Sequence, residues 1–163
     1  MLLCLMQHGV CLPEEVNPEQ PLSPVGREQI EKSAAAVRRL GLKFDAVLSS
    51  TRKRAFQTAE LVAQAVGFPA SRIVQSDALK ANVPAERCLE FLLGFEKKSS
   101  LFVAGHLPSL HNLACLLLAS GPGLTLRFEN GGLACLDVHS LRTRTAALVF
   151  LLTPRQLALI AET

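Results

Sequence analysis

The sequence predicts a single α/β domain over residues 1–163, a three-layer α/β/α sandwich around a mixed, mostly parallel sheet. Three observations carry this expectation. Short, largely apolar runs at Leu2–Met6, Phe44–Ser49 and Ser100–Ala104 read as strands covered on both faces. Longer stretches with apolar residues at helical spacing alternate with them. The last third of the chain then carries hairpin-like strands in succession, and that combination calls for helices on both faces of a mixed sheet.

The elements follow in order. After the strand Leu2–Met6 comes an irregular segment, Gly9 to Leu22, rich in Pro and in acidic and amide side chains. Ser23 is an N-cap and Pro24 the first helical residue; Val25, Ile30, Ala34, Val37 and Leu40 make an apolar stripe that Gly41 ends. Phe44–Ser49 is the second strand. Ala55, Ala59, Val62 and Val66 mark one face of a second helix, stopped by Gly67. Arg72–Gln75 is a short edge strand, Pro84–Phe95 a helix and Ser100–Ala104 a strand. Pro108 opens a helix with Leu110, Leu113, Ala114, Leu117 and Leu118 at core spacing. Three further strands are expected at Leu124–Phe128, Leu133–Val138 and Ala146–Leu152, and Thr153-Pro154 caps a terminal helix.

Composition narrows the function. Apolar residues make up 49% and charged residues 19%, enough to close a core in a chain of 163 residues. Eight Phe without Trp or Tyr is too few rings for a base-stacking platform, and a net charge of +3 suits an anionic ligand but not a nucleic acid. The five cysteines, Cys4, Cys11, Cys88, Cys115 and Cys135, are odd in number and form no CxxC pair, so they read as reduced, buried small hydrophobes. The N-terminal apolar run is too short for a signal sequence or a membrane span, which sets the expectation of a cytoplasmic protein with no membrane partner.

Three segments place polar residues directly after an apolar strand, where open α/β sheets bind ligands. They are Gln7-His8-Gly9, Ser49-Ser50-Thr51-Arg52-Lys53-Arg54 and Gly105-His106-Leu107-Pro108, the latter two entering helices. If their strands are neighbours, two imidazoles, an arginine and two helix N-termini converge on one spot suited to an oxyanion. Singly each has a plain structural reading, and His111, His139, Lys97 and Lys98 keep theirs.

The joint pattern resembles the histidine phosphatase superfamily, also called phosphoglycerate mutase-like, over nearly the whole chain. Met6-Gln7-His8-Gly9 stands where that family has Arg-His-Gly, and Pro21-Leu22-Ser23-Pro24-Val25-Gly26 matches its entry to the first helix. Ser50 to Ala59, with Arg54, Ala55, Gln57 and Thr58, matches its arginine segment; Gly105-His106-Leu107-Pro108 matches its second histidine. Only 46 residues separate Ala59 from His106, and this compactness, with GHLPSL and the Phe128–Gly132 turn, points to the phosphohistidine phosphatase branch.

The resemblance implies a metal-independent phosphatase needing no cofactor. His8 would be the nucleophile, Arg54 and His106 would stabilise the transferring phosphoryl group, and Gly9 would offer backbone donors. Asp77 is the candidate proton donor to the leaving group, and Asn82 a further pocket residue. Gln7 is the departure: it replaces a phosphate-clamping arginine by a neutral amide. The expected partners are a phosphorylated protein side chain, phosphohistidine foremost, or a small phosphorylated substrate, and phosphate ion. A small-molecule phosphomonoesterase and a weakly active or inactive phosphate-binding module are the alternatives. Cysteine phosphatase chemistry is excluded because no cysteine is followed by Arg at C-x5-R spacing, and no GxxxxGK[ST] loop exists.

Overall fold

The apolar run at the N-terminus forms β1 (Leu2–Gln7), and Ser23 then starts α1 (Pro24–Arg39) by accepting the Gly26 N–H at 3.0 Å. β2 (Ala46–Ser50), α2 (Lys53–Val66) and the short β3 (Val74–Ser76) follow, with Gly67 ending α2 in the left-handed region at φ 73°. After α3 (Ala85–Leu93) come β4 (Ser100–Gly105) and α4 (Ser109–Leu118). β5 (Leu133–Ser140), β6 (Thr145–Leu152) and α5 (Pro154–Glu162) complete the chain. This computed structural model describes residues 1–119 and 123–162.

The strands make one sheet in the order β3-β2-β4-β1-β5-β6. The first four are parallel; β5 runs antiparallel to β1, and β6 to β5. Strand periodicity sends alternate side chains to opposite faces. Leu3, Leu5, Leu48, Leu101 and Val103 join a core with Leu89 and Leu92 of α3 and Leu110, Leu113 and Leu117 of α4. Cys4, Met6, Val47, Phe102 and Ala104 join the other, with residues of α1, α2 and α5. The expected three-layer sandwich with a mixed, mostly parallel sheet is the observed fold.

Three local expectations are corrected. Leu124–Phe128 is not a strand. Both sides of β5 are already taken, by β1 and β6, so this segment finds no free edge there; Leu126 N–H donates instead to His111 Nε2 at 3.3 Å. Val25 does not belong to the buried stripe of α1 but is 71% exposed, because Gly26 faces inward in its place. The cysteines are not all reduced: Cys4 and Cys135 face each other in the β1–β5 register and form a disulfide. Spacing could not reveal that pair, whose members lie 131 residues apart and meet only through the antiparallel register.

Gly26 holds the entry of α1 against the loop after His8. A Cβ there would lie 1.8 Å from Val10 O, a backbone atom. Gly26→Ala must therefore push the helix off the loop, and a loss of about 1–3 kcal/mol is expected, the scale of overpacking. Urea unfolding checks this as a lower midpoint with an unchanged slope.

Candidate active site

The sheet order builds the site. β4 lies between β2 and β1, and all three are parallel, so their C-terminal ends share one edge. The chain leaves β1 toward the face of α1 and leaves β4 toward the face of α4, which opens a crevice above the adjoining strand ends. His8 follows β1, His106 follows β4, and Ser50 ends β2 with Arg54 in the first turn of α2.

The hydrogen bonds define the state of His8. Its Nδ1 is 2.7 Å from Gly9 O, a carbonyl that can only accept, so Nδ1 carries the proton. Its Nε2 receives the Arg54 Nε–H at 3.1 Å, and a guanidinium can only donate, so Nε2 presents a bare lone pair. Burial lowers the His8 pKa from its ordinary 6.5 to about 4; the bond to Gly9 opposes this, and the Arg54 charge adds to it. His8 is thus a neutral imidazole with its unprotonated nitrogen turned to Arg54. Asn130 Nδ2–H donates to His8 O at 2.8 Å and holds the backbone there.

His106 is 2% exposed, its ring 4.8 Å from that of His8 in an edge-to-face arrangement. Its Nε2 lies 3.0 Å from Ser50 Oγ, which also accepts the Arg52 N–H at 3.2 Å. Burial, then the His8, Arg54 and Arg52 charges, push its pKa down to about 3. Two neutral imidazoles and one guanidinium therefore meet in a crevice, and among the described residues no carboxylate is bonded to any of them. A phosphoryl dianion would supply the missing negative charge and raise both histidine pKa values.

Gly9 is buried, and its N–H donates to Thr58 Oγ1 at 3.2 Å, which in turn donates to Arg54 O at 2.8 Å. The family model of the histidine phosphatase superfamily (branch 1) matches residues 3–80, the stretch from β1 to the turn after β3 that holds His8 and Arg54. This match spans just under half of the chain.

An uncharacterized protein of Picosynechococcus is 28% identical over 94% of this chain and 96% of its own. The mitochondrial serine/threonine-protein phosphatase PGAM5 of mouse is 32% identical over 68 residues, and the match spans 42% of this chain but only 23% of PGAM5. Among solved structures, the protein histidine phosphatase SixA complexed with tungstate superposes with a TM-score of 0.86 at 20% identity, covering 96% of this chain and 99% of SixA. The phosphoserine phosphatase of Entamoeba histolytica in complex with 3-phosphoglyceric acid superposes with a TM-score of 0.69 at 17% identity, over 96% and 98% of the two chains. At these identities both show the fold, a phosphoglycerate mutase-like α/β sandwich.

Within this fold the expected residues separate into two groups. His8, Gly9, Arg54 and His106 stand at one sheet edge, joined by the contacts above. Gln7 ends β1 beside Gly105 of β4, and its carbonyl accepts the Gly131 N–H at 2.9 Å. Asp77 is different. It starts the turn after the edge strand β3, 71% exposed, and its carboxylate accepts from Thr51 Oγ1 at 2.5 Å and pairs with Lys80 at 2.8 Å. The bond from Lys80, then that from Thr51, hold its pKa below the ordinary value. Thr51 and Lys80 thus occupy the carboxylate that the sequence reading offered as the proton donor to a leaving group. Asn82 sits exposed in the next turn at φ 60°, with a conformation suited to turning the chain.

Sequence reasoning missed Gln20, whose Oε1 accepts from Arg54 Nη1 at 3.0 Å, and Ser50 as the partner of His106. Ser50 lay in a segment already singled out; Gln20 sits in an irregular loop with no periodicity to mark it. Among the described residues, no group of three or more His, Cys, Asp or Glu is placed to hold a metal ion, and no helix is long and apolar enough to cross a membrane.

Proposed function

We propose that this chain is a metal-independent phosphatase that uses His8 as its nucleophile and acts on phosphohistidine or another phosphorylated protein side chain. The observation that supports this most is the neutral His8, with Nδ1–H on Gly9 O and an unprotonated Nε2 whose lone pair accepts the Arg54 Nε–H. In the first step Nε2 attacks phosphorus in line, the bond to the leaving group breaks, and its electron pair departs with that group. Positive charge then develops on the imidazole, and the Gly9 carbonyl stabilises it through Nδ1–H. Arg54 and His106 stabilise the equatorial oxygens. In the second step water attacks phosphorus, the P–N bond breaks, and neutral His8 returns with phosphate released.

The substrate class follows from proton supply. His8 and His106 are held neutral and the Asp77 pKa is lowered, so none of the three side chains holds an acidic proton ready for a poor leaving group. Phosphoramidates and aryl phosphates leave more readily than the alkoxide of an alkyl phosphate. With 10 mM EDTA present, at about that order of concentration, a phosphohistidine protein and an aryl phosphate should both turn over, at least tenfold faster than a phosphoserine peptide, the scale of a general acid being ~10²–10⁴. Loss of turnover on chelation, restored by a divalent cation, would sink the mechanism. One feature favours a second reading, a phosphate-binding module with weak turnover. Gln7 is neutral, leaving Arg54 as the guanidinium bonded to His8. Vanadate binding without turnover on either substrate would select it.

A further inference from the structure

We propose that Gln20 is a positioning residue for Arg54: its amide oxygen fixes the guanidinium against His8 while leaving its charge unspent. This rests on the reading of Arg54 as the group that meets the substrate anion. Arg54 has two hydrogen bonds that fix its head, Nε to His8 Nε2 at 3.1 Å and Nη1 to Gln20 Oε1 at 3.0 Å. Because the guanidinium is planar, contacts on two of its nitrogens set both its plane and its rotation.

The choice of acceptor matters. A carboxylate at position 20 would hold the same nitrogen but cancel the positive charge, whereas an ammonium or guanidinium has no lone pair to accept with. Only a neutral acceptor both orients Arg54 and leaves its field on the crevice.

The backbone around Gln20 is arranged for this contact. Three side chains of α2 in sequence order tie the loop down: Lys53 pairs with Glu19 at 2.5 Å, Arg54 bonds Gln20, and Gln57 Oε1 accepts the Leu22 N–H at 2.8 Å. The loop also braces itself, with Leu12 N–H on Pro21 O and Gln20 N–H on Asn17 O, each at 2.9 Å. Gln20 itself lies at φ 46°, in the left-handed region that non-glycine residues rarely occupy. It also precedes Pro21, a position biased toward extended backbone. Such a conformation persists only where the surroundings impose it, and here it accompanies the contact with Arg54.

The test compares Gln20→Ala, Gln20→Met and Gln20→Glu by NMR of the Arg54 Nε–H and the His8 ring nitrogens, with vanadate as the anion probe. Met keeps the side-chain length and guards against a loop that collapses in the alanine variant. In Ala and Met the Arg54 Nε–H signal should be lost to exchange, and His8 should protonate at higher pH as the guanidinium drifts from it. Vanadate should bind about ten- to a hundredfold more weakly, the scale of one hydrogen bond to a charged group. In Gln20→Glu the Arg54 signal should persist while vanadate still weakens and the His8 pKa rises, which a merely structural loop residue would not produce. A retained Arg54 signal and an unmoved His8 titration in folded Gln20→Ala or Gln20→Met would overturn the proposal. Absence of vanadate binding by the unaltered chain would count against the phosphatase reading instead, and the Arg54 and His8 resonances would still decide the role of Gln20.

Discussion

Replacing His8 with alanine is expected to lower turnover by a factor on the order of 10⁵, because the substitution removes the atom that we propose forms the bond to phosphorus. The fold should survive, since His8 follows β1 at the crevice and is only half-buried. Quenching the unaltered enzyme during turnover of labelled substrate should leave acid-labile, base-stable label on His8, and none in the variant. The pH dependence carries a sign. In the proposed mechanism His8 attacks only when neutral, and its pKa lies near 4 instead of 6.5, so the acid limb of kcat/KM, which reports the free enzyme, should fall near pH 4. Activity should therefore hold between pH 7 and pH 5, about where an ordinary histidine loses most of its neutral form. Label on another residue, or unaltered turnover in His8→Ala, would remove His8 from the mechanism.

Arg54→Ala should cost roughly 10²–10³ in kcat, about 3–4 kcal/mol of transition-state stabilisation, as when one preorganised donor to a developing charge is lost. The variant also breaks the bond to His8 Nε2 and removes a positive charge that depresses the His8 pKa. His8 should then protonate at higher pH, and the acid limb of the rate profile should move up with it. Arg54→Lys should recover little, because an ammonium cannot hold His8 and Gln20 at once with a planar fork. Steady-state kinetics across pH, with a melting curve for each variant, checks both effects. A variant with kcat within threefold of the parent, a margin far inside the expected ~10²-fold loss, would show that Arg54 does not act on the transition state.

Much of the fold was legible because its signals are local. Ser23-Pro24 and Gly41 bracket α1, Gly67 stops α2, and the runs that became β1, β2 and β4 are apolar enough to be covered on both faces. Each of those readings depends on a few adjacent residues and on backbone periodicity alone. The same locality explains the failures. Leu124–Phe128 alternates like a strand, but a strand needs a free edge, and the order of the sheet leaves none beside β5.

By itself, then, the sequence determined most of the strands and helices, and that His8, Arg54 and His106 each follow a strand. Only the tertiary structure decided how they meet. The order β2-β4-β1 puts His106 between the other two elements, and the β1–β5 register brings Cys4 to Cys135. Asp77 was offered as the proton donor from its place just before residues 78–82, and only the fold sets Lys80 and Thr51 on its carboxylate at the end of an edge strand. Gln20 went unread because nothing in an irregular loop marks one amide above another until folding lays that loop on α2. Strand order and loop placement depend on contacts between residues far apart in the chain, and periodicity, which reports only on neighbours, carries no record of them.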